Sequence, residues 1–308
     1  MSTTGTSVFN LDVNDLIEEA FERCGKELRS GYDFRTARRS LNLLTIEWAN
    51  RGINLWTVEQ GIIPLVTGQA QYPLPVDTID LLDTTIRQNN GTTNQIDINI
   101  SRISESTYLT IPNKLTQGRP IQIWVNRQSG QENATDITLD GDILSTDTTI
   151  TLSSTVGLAS SGFIKIGSET ISYPNVSGNQ LINCARGQNN TTAAAHTSGD
   201  AITVQNLPSV YVWPTPNAPG NQYSLVYYRM RRIQDAGSGT YVQDIPFRFI
   251  SAMVAGLAYQ LSTKLPEMDM NRIPMLKAEY EQQYQLAADE DRDKAALRVV
   301  PRNMFYYR

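Results

Sequence analysis

The chain is poor in the residue types that carry most enzyme and metal chemistry. It has one histidine, His196, and two cysteines, Cys24 and Cys184, in 308 residues. The cysteines lie far apart in segments of different texture, so they give neither metal-ligand spacing nor a disulfide framework. A reducing compartment during folding is the simplest expectation. The opening MSTTGTSVFNLDVND lacks the basic start and the apolar run of a secretory signal. The longest apolar stretch, residues 249–261, falls short of the roughly 20 residues that span a bilayer. These absences predict a soluble protein made in a cytoplasm, with no membrane partner.

Paired catalytic groups are missing too. His196 stands in a Thr/Ala/Ser-rich loop with no nucleophile or metal ligand beside it in sequence, and reads as a loop histidine making a hydrogen bond. The Gly-Ser-Gly of residues 237–239 has no lysine after it and is no phosphate loop. Asp289 and Asp293 lie one helical turn apart, but a solvated helix end explains them. A general acid or base needs burial or a coupled neighbour to tune its pKa, and no carboxylate is expected to have either. The expectation is a protein that is not an enzyme, with no catalytic, cofactor or metal residues.

What is present is an ordinary globular composition. Hydrophobic residues make up 40% and charged residues 19%, which separates the chain from disordered sequences. Its length allows two domains, or one with an insertion. The net charge of −5 argues against general nucleic-acid binding, although a local basic cluster can still face DNA.

Apolar periodicity places helices at both ends of the chain. Residues 12–29 carry Leu16, Ala20, Cys24 and Leu28 on one face, with Gly31 just beyond. Asp33 is the expected cap of a second helix over 33–51, striped by Ala37, Leu41, Leu44 and Trp48 and stopped by Gly52. Its outer face carries Arg35, Arg38 and Arg39, a solvated face in the first instance, with an acidic partner or passing DNA as the alternative. Residues 245–265 predict a helix covered on several sides, with Pro246 in its first turn. A fourth helix over 273–293 is apolar on one face and charged on the other.

Between these ends the texture is β: strands over 55–87, 121–126 and 209–231, with a short helix around 101–109 and turns at Gly68, 73–75 and 113–118. From about Asn133 to Gln205 the chain turns to Thr, Ser, Asn and Gly, with short β-like segments at 136–139, 148–152, 162–166, 169–173, 180–182 and 201–204. Six acids there oppose only Lys165 and Arg186. This reads as an acidic all-β module inserted between two strands of one core. The fold class expected is therefore α+β: a helical bundle from the N- and C-terminal helices, a β-sheet and hairpin region, and an inserted small all-β domain at 133–205. Trp48, Trp56, Trp124 and Trp213 read as core residues. The end of the chain does not: in 295–308, Arg298, Arg302 and Arg308 alternate with Met304, Phe305, Tyr306 and Tyr307. A tail too short for a core of its own, built from the usual interface anchors, suggests a docking segment, with a frayed terminus as the alternative.

In outline the chain resembles a known family. WANRG at 48–52, GQAQYPLP at 68–75, YLTIPNK at 108–114 followed by GRP at 118–120, and WPTP at 213–216 occur in an order similar to the head-to-tail adaptors of short-tailed phages, the tail tubular protein A family. The likeness covers roughly 1–132 and 206–308. The insertion resembles a small β module of phage virion proteins through GFIKI at 162–166, ETISY at 169–173, CARGQ at 184–188 and TTAAAH at 191–196. The resemblance implies a structural virion protein at the head-tail junction, assembled in the host cytoplasm. It implies a homo-oligomeric ring of twelve, a portal protein above and a tail nozzle protein below, and double-stranded DNA passing without sequence-specific binding. Arg298, Arg302, Met304, Phe305, Tyr306, Tyr307 and Arg308 would then be the portal-docking residues. Within the module, the resemblance makes Arg186-Gly187 a tight turn and His196 a signature residue. The alternative reading is a tail-associated binding module whose inserted domain attaches fibres or host glycans.

Overall fold

A computed structural model describes residues 9–292 except 53–54, 129, 219–221 and 267, together with 3 and 5–7. The protein is α+β. The chain divides at 57/58 and 232/233 into a unit formed by its two ends and a unit formed by its middle, so residues 131–206 share a unit with the strands on either side of them.

The helices among the described residues are α1 (Val13–Cys24), α2 (Gly31–Arg51), α3 (Glu105–Leu109), α4 (Ile250–Ser262) and α5 (Arg272–Glu290). All but α3 belong to the first unit. Asp12 caps α1 by accepting the Asp15 amide, and Gly25 ends it at φ 69°, its N–H reaching back to Glu22 and Phe21. A left-handed residue costs an L side chain about 1–2 kcal/mol, and a Cβ here would also fall 2.5 Å from Arg272 Nη1. The helix expected over 12–29 therefore stops at 24, and Leu28 packs on the core from the connection beyond it. The cap of α2 is likewise corrected. Ser30, not Asp33, is the N-cap: its hydroxyl accepts the Asp33 amide at 3.2 Å and donates to the Asp33 carboxylate at 2.9 Å. Asp33 is left in the first turn, where a negative charge suits the helix dipole.

The most apolar of these helices, α4, buries Ala252, Met253, Val254, Ala255, Leu257, Ala258 and Leu261. A helix without a polar face must be covered all round, and α1, α2 and α5 all pack against it. Gly256 allows the closest approach, since a Cβ there would lie 2.8 Å from Tyr280 Cε2 and 2.9 Å from Leu44 Cδ2. The helix is shorter than the expected 245–265. Pro246 leads into a single 3-10 turn at Phe247–Phe249, and at the other end the Ser262 and Thr263 hydroxyls donate to the Tyr259 and Gln260 carbonyls. The helix expected over 273–293 runs over 272–290, where Asp291 turns away to accept the Leu55 amide.

Trp48, fully buried, fixes the packing of α2 against α5. Its indole N–H donates to the Tyr280 hydroxyl at 3.0 Å, which donates to Glu47 at 2.9 Å. Burying a side chain of that size removes ~150–250 Å² from water, at most about 4–6 kcal/mol. Arg51 closes the cluster, its guanidinium 4.5 Å from the Tyr284 ring centre and bonded to Glu281 at 2.8 Å.

In the second unit the chain first forms β1 (Val58–Pro64), β2 (Gln71–Pro73), β3 (Thr78–Gln88), β4 (Ile96–Asn99), β5 (Ser101–Arg102), β6 (Gln117–Gly118) and β7 (Gln122–Asn126). It continues with β8 (Gln131–Thr138), β9 (Ile150–Thr151), β10 (Gly162–Ile166), β11 (Glu169–Tyr173), β12 (Asn175–Ser177), β13 (Gln180–Ile182), β14 (Ala185–Gln188) and β15 (Ala201–Asn206). Last come β16 (Ser209–Trp213), β17 (Thr215–Pro216) and β18 (Tyr223–Arg231). The sheets are ordered β1-β18-β3-β4, β2-β16-β7-β5 and β6-β17, with β14-β11-β10-β15-β8 and β12-β13-β9 drawn from residues 131–206. The first two share a core containing Leu65, Tyr72, Ile86, Ile123, Val210 and Leu225. Residues 131–206 close a second core on Ile150, Ile164, Ile171, Tyr173, Leu181 and Ile202.

The strand expected from residue 55 begins only at 58. Leu55–Thr57 is a 3-10 turn, and Trp56 donates its indole N–H to the Asp244 carbonyl within the helical unit. Ser101–Arg102, expected in the short helix, pairs instead with β7, and Ser104 caps α3 by accepting the Thr107 amide.

Candidate functional site

The outer face of α2 is the first candidate. Its buried stripe (Ala37, Leu41, Leu44, Trp48) leaves Arg35, Arg38 and Arg39 exposed on the other side. No carboxylate among the described residues lies within 4.0 Å of any of them; Arg35 bonds only the Gly31 carbonyl of its own helix. Leu43 and Ile46, one and two turns past Arg39, are 50% and 58% exposed. Arg39 also borders a hollow of about 320 Å³ floored by Phe21, Leu265 and Pro266 and edged by Tyr32. Arginine and aromatic side chains are residue types enriched at protein interfaces. The trio expected as a basic patch is thus part of a mixed basic and apolar strip. The segment expected from the resemblance to dock on a portal, Arg298 through Arg308, lies outside the described residues.

The second candidate is the only histidine's neighbourhood, where the sequence expectation needs correction. Glu169, at the start of β11, has a wholly buried side chain; those of Arg186 and His196 are 6% and 9% exposed. Five donors converge on the two Glu169 oxygens. Arg186 delivers Nε and Nη2, each at 2.8 Å; the Gly187 and Ala194 amides follow at 3.0 and 3.1 Å, and His196 Nε2 lies at 2.7 Å. Arg186 spends its remaining donors on the Leu144, Asp147 and Ala194 carbonyls. Burial by itself would push the Glu169 carboxyl up, but the bonds from Arg186, Ala194, His196 and Gly187 outweigh it and hold the carboxyl down at about 2.

So a carboxylate of this chain is both buried and coupled, contrary to expectation. Its chemistry is nonetheless that of a clasp. Ionised and with both oxygens saturated by donors, Glu169 has no free lone pair for abstracting a proton. Glu169 ties β14 to the 191–196 loop, and Arg186 extends the tie to the carbonyls of Leu144 and Asp147. Burying a charge is tolerable only with such complete pairing. Arg186 and Gly187 lie in β14, with Gly187 at φ 60°. No local signal in the sequence marks the cluster, since Glu169 and His196 lie 27 positions apart.

The tryptophans divide. Only Trp48 is fully buried. Trp124 stacks on Tyr211 across the β7–β16 pairing at 4.6 Å and on Tyr108 at 5.3 Å, while Trp213 donates to the Asn113 carbonyl. Both cysteines are free and buried; Cys24 donates to the Ala258 carbonyl, and burial pushes its thiol up to about 11. Among the described residues no group of three or more His, Cys, Asp and Glu side chains is placed to hold a metal ion, and no helix is long and apolar enough to cross a membrane.

No family model matches the chain. No curated protein matches it either.

Proposed function

We propose that the protein is a structural virion component, the head-to-tail adaptor ring joining the portal to the tail nozzle of a short-tailed DNA phage. The observation that carries this is the outer face of α2. The helical unit closes its own core on Trp48 and α4, yet leaves Leu43, Ile46 and three unpaired arginines on one strip of helix. A subunit of a closed ring must present such a patch to a different patch on its neighbour, and closure makes weak pair contacts collectively firm.

In this reading α1, α2, α4 and α5 form the bundle that meets the portal and the adjoining subunits, and the strands 58–87 and 209–231 meet the nozzle. The all-β module at 133–205 is peripheral to the channel. The order of WANRG, GQAQYPLP, YLTIPNK and WPTP along the chain supports the family, and a net charge of −5 suits a ring of twelve that lets double-stranded DNA pass without gripping it. The tail from Arg298 to Arg308 anchors each subunit on the portal. The test is removal of residues 297–308. The truncated protein keeps its circular dichroism and melting temperature but no longer sediments with portal rings; a truncated protein that binds portal rings normally refutes the assignment.

A further inference from the structure

Between α1 and the start of α4 lies a groove of about 460 Å³, within the range of pockets that hold small ligands. Its floor is apolar: Leu11, Ile250 and Val254, with Phe9 standing 76% exposed at the edge. Its rim is acidic. Asp15, Glu18 and Glu22 follow one another at three- and four-residue steps along α1, and no cation among the described residues lies within 4.0 Å of them. Glu19, beside them, is already paired with Arg23 at 3.1 Å. The three carboxylates are not part of a metal-binding group.

One segment of this chain has the complementary chemistry. Residues 294–308 contain Lys294, Arg298, Arg302 and Arg308, no acid at all, and the aromatic run Phe305-Tyr306-Tyr307. The last described turn of the chain adjoins the segment that leads into the groove's α4 wall. Asp291, just past α5, is bonded to Arg248, and Arg248 precedes by two residues the Ile250 that begins the groove's α4 wall. Along α1 the rim from Asp15 to Glu22 is about 10 Å long, whereas fifteen residues can extend to roughly 50 Å.

We infer that the segment 294–308 docks in the acid-rimmed groove of its own chain, its aromatics on the Leu11–Ile250–Val254 floor and its arginines against Asp15, Glu18 and Glu22. A tethered segment sits at an effective concentration on the order of millimolar, so an affinity of about 100 μM already fills the groove roughly nine times in ten. The inference stands apart from the adaptor reading, because it concerns the free protein; joined to it, the groove holds the tail until the portal takes it.

The experiment is site-directed photocrosslinking in the full-length protein, with Tyr306→p-benzoylphenylalanine, irradiated dilute in low salt and mapped by mass spectrometry. The expected crosslinks join position 306 to residues 9–22 and 250–254 at monomer mass. Their yield falls several-fold in the Glu18→Lys/Glu22→Lys variant and at high salt, where exposed charges are screened. Both glutamates are exposed, and circular dichroism checks that the variant folds; Glu18→Gln/Glu22→Gln gives a smaller loss in the same direction. Crosslinks elsewhere, or a yield indifferent to both variants, overturn the inference. Crosslinking at dimer mass overturns it in favour of the groove of a second copy.

Discussion

Replacing Glu169 by glutamine keeps the shape of the side chain and removes its charge. In the native protein the carboxyl is held at about 2 against an ordinary 4.5, the Arg186, Ala194, His196 and Gly187 donors overriding the upward push of burial. The folded value lies below the unfolded one, so the group stabilises the fold fully above pH 4.5 and loses that contribution as the pH falls from 4.5 through about 2. That lowering corresponds to roughly 3 kcal/mol at neutral pH. The mutational route gives a similar figure, because Glu169→Gln leaves Arg186 buried without its counter-charge, a change that typically costs about 3–5 kcal/mol. Three kcal/mol is about two decades in an opening equilibrium. The assay is native-state hydrogen exchange of the Gly187 and Ala194 amides, both donors to Glu169. At pH 7 they exchange about a hundredfold faster in the variant, while the amides of α4 are unmoved. Acidification of the wild type below pH 4.5 reproduces the loosening, and the variant shows no such step. Equal exchange rates at pH 7 would refute the clasp.

Other consequences follow from the helical unit. Gly256→Leu drives a side chain into Tyr280 and Leu44 and lowers stability by roughly 1–3 kcal/mol, read as a lower melting temperature; an unchanged melt would mean that the helices do not approach so closely. Tyr280→Phe removes the hydroxyl that accepts from Trp48 and donates to Glu47 and costs about 1–3 kcal/mol in urea unfolding, more than deletion of an exposed hydroxyl would. Leu43→Asp with Ile46→Asp changes exposed positions, so the monomer's melt shifts by no more than about 0.5 kcal/mol, while assembly into rings, read by sedimentation, is lost.

Periodicity made the helices legible and left their ends and partners obscure. The stripe of α2 and the nearly unbroken apolar surface of α4 mark both as core elements, because a helix face repeats in sequence as it does in space. Nothing in the stripe of α1 distinguishes Gly25 from Gly31 as the stop; the deciding fact is the left-handed backbone at 25 packed against Arg272, far along the chain. In the β unit, β10 and β11 are visible as alternating runs, whereas β12 and β14 are hidden among Asn, Ser and Gly, with Asn183, Asn189 and Asn190 at positive φ between and after them. The clasp was the least legible feature. Glu169, Arg186 and His196 lie up to 27 positions apart, and only the folding of β11, β14 and the 191–196 loop brings them together. The basic trio on α2 was evident as charge; that Leu43 and Ile46 stand exposed on the same face shows only in the fold, where α4 packs against the opposite face.

The proposed role is that of a subunit made to join a ring on a portal. Its most direct test is the molar mass of the purified full-length protein by light scattering, alone and after mixing with the portal ring of the same phage. The expected result is a monomer that adds to the portal as a ring of twelve. A protein that stays monomeric and leaves the portal's mass unchanged contradicts it, and would shift the weight to the module at 133–205 as a site for fibres or host glycans.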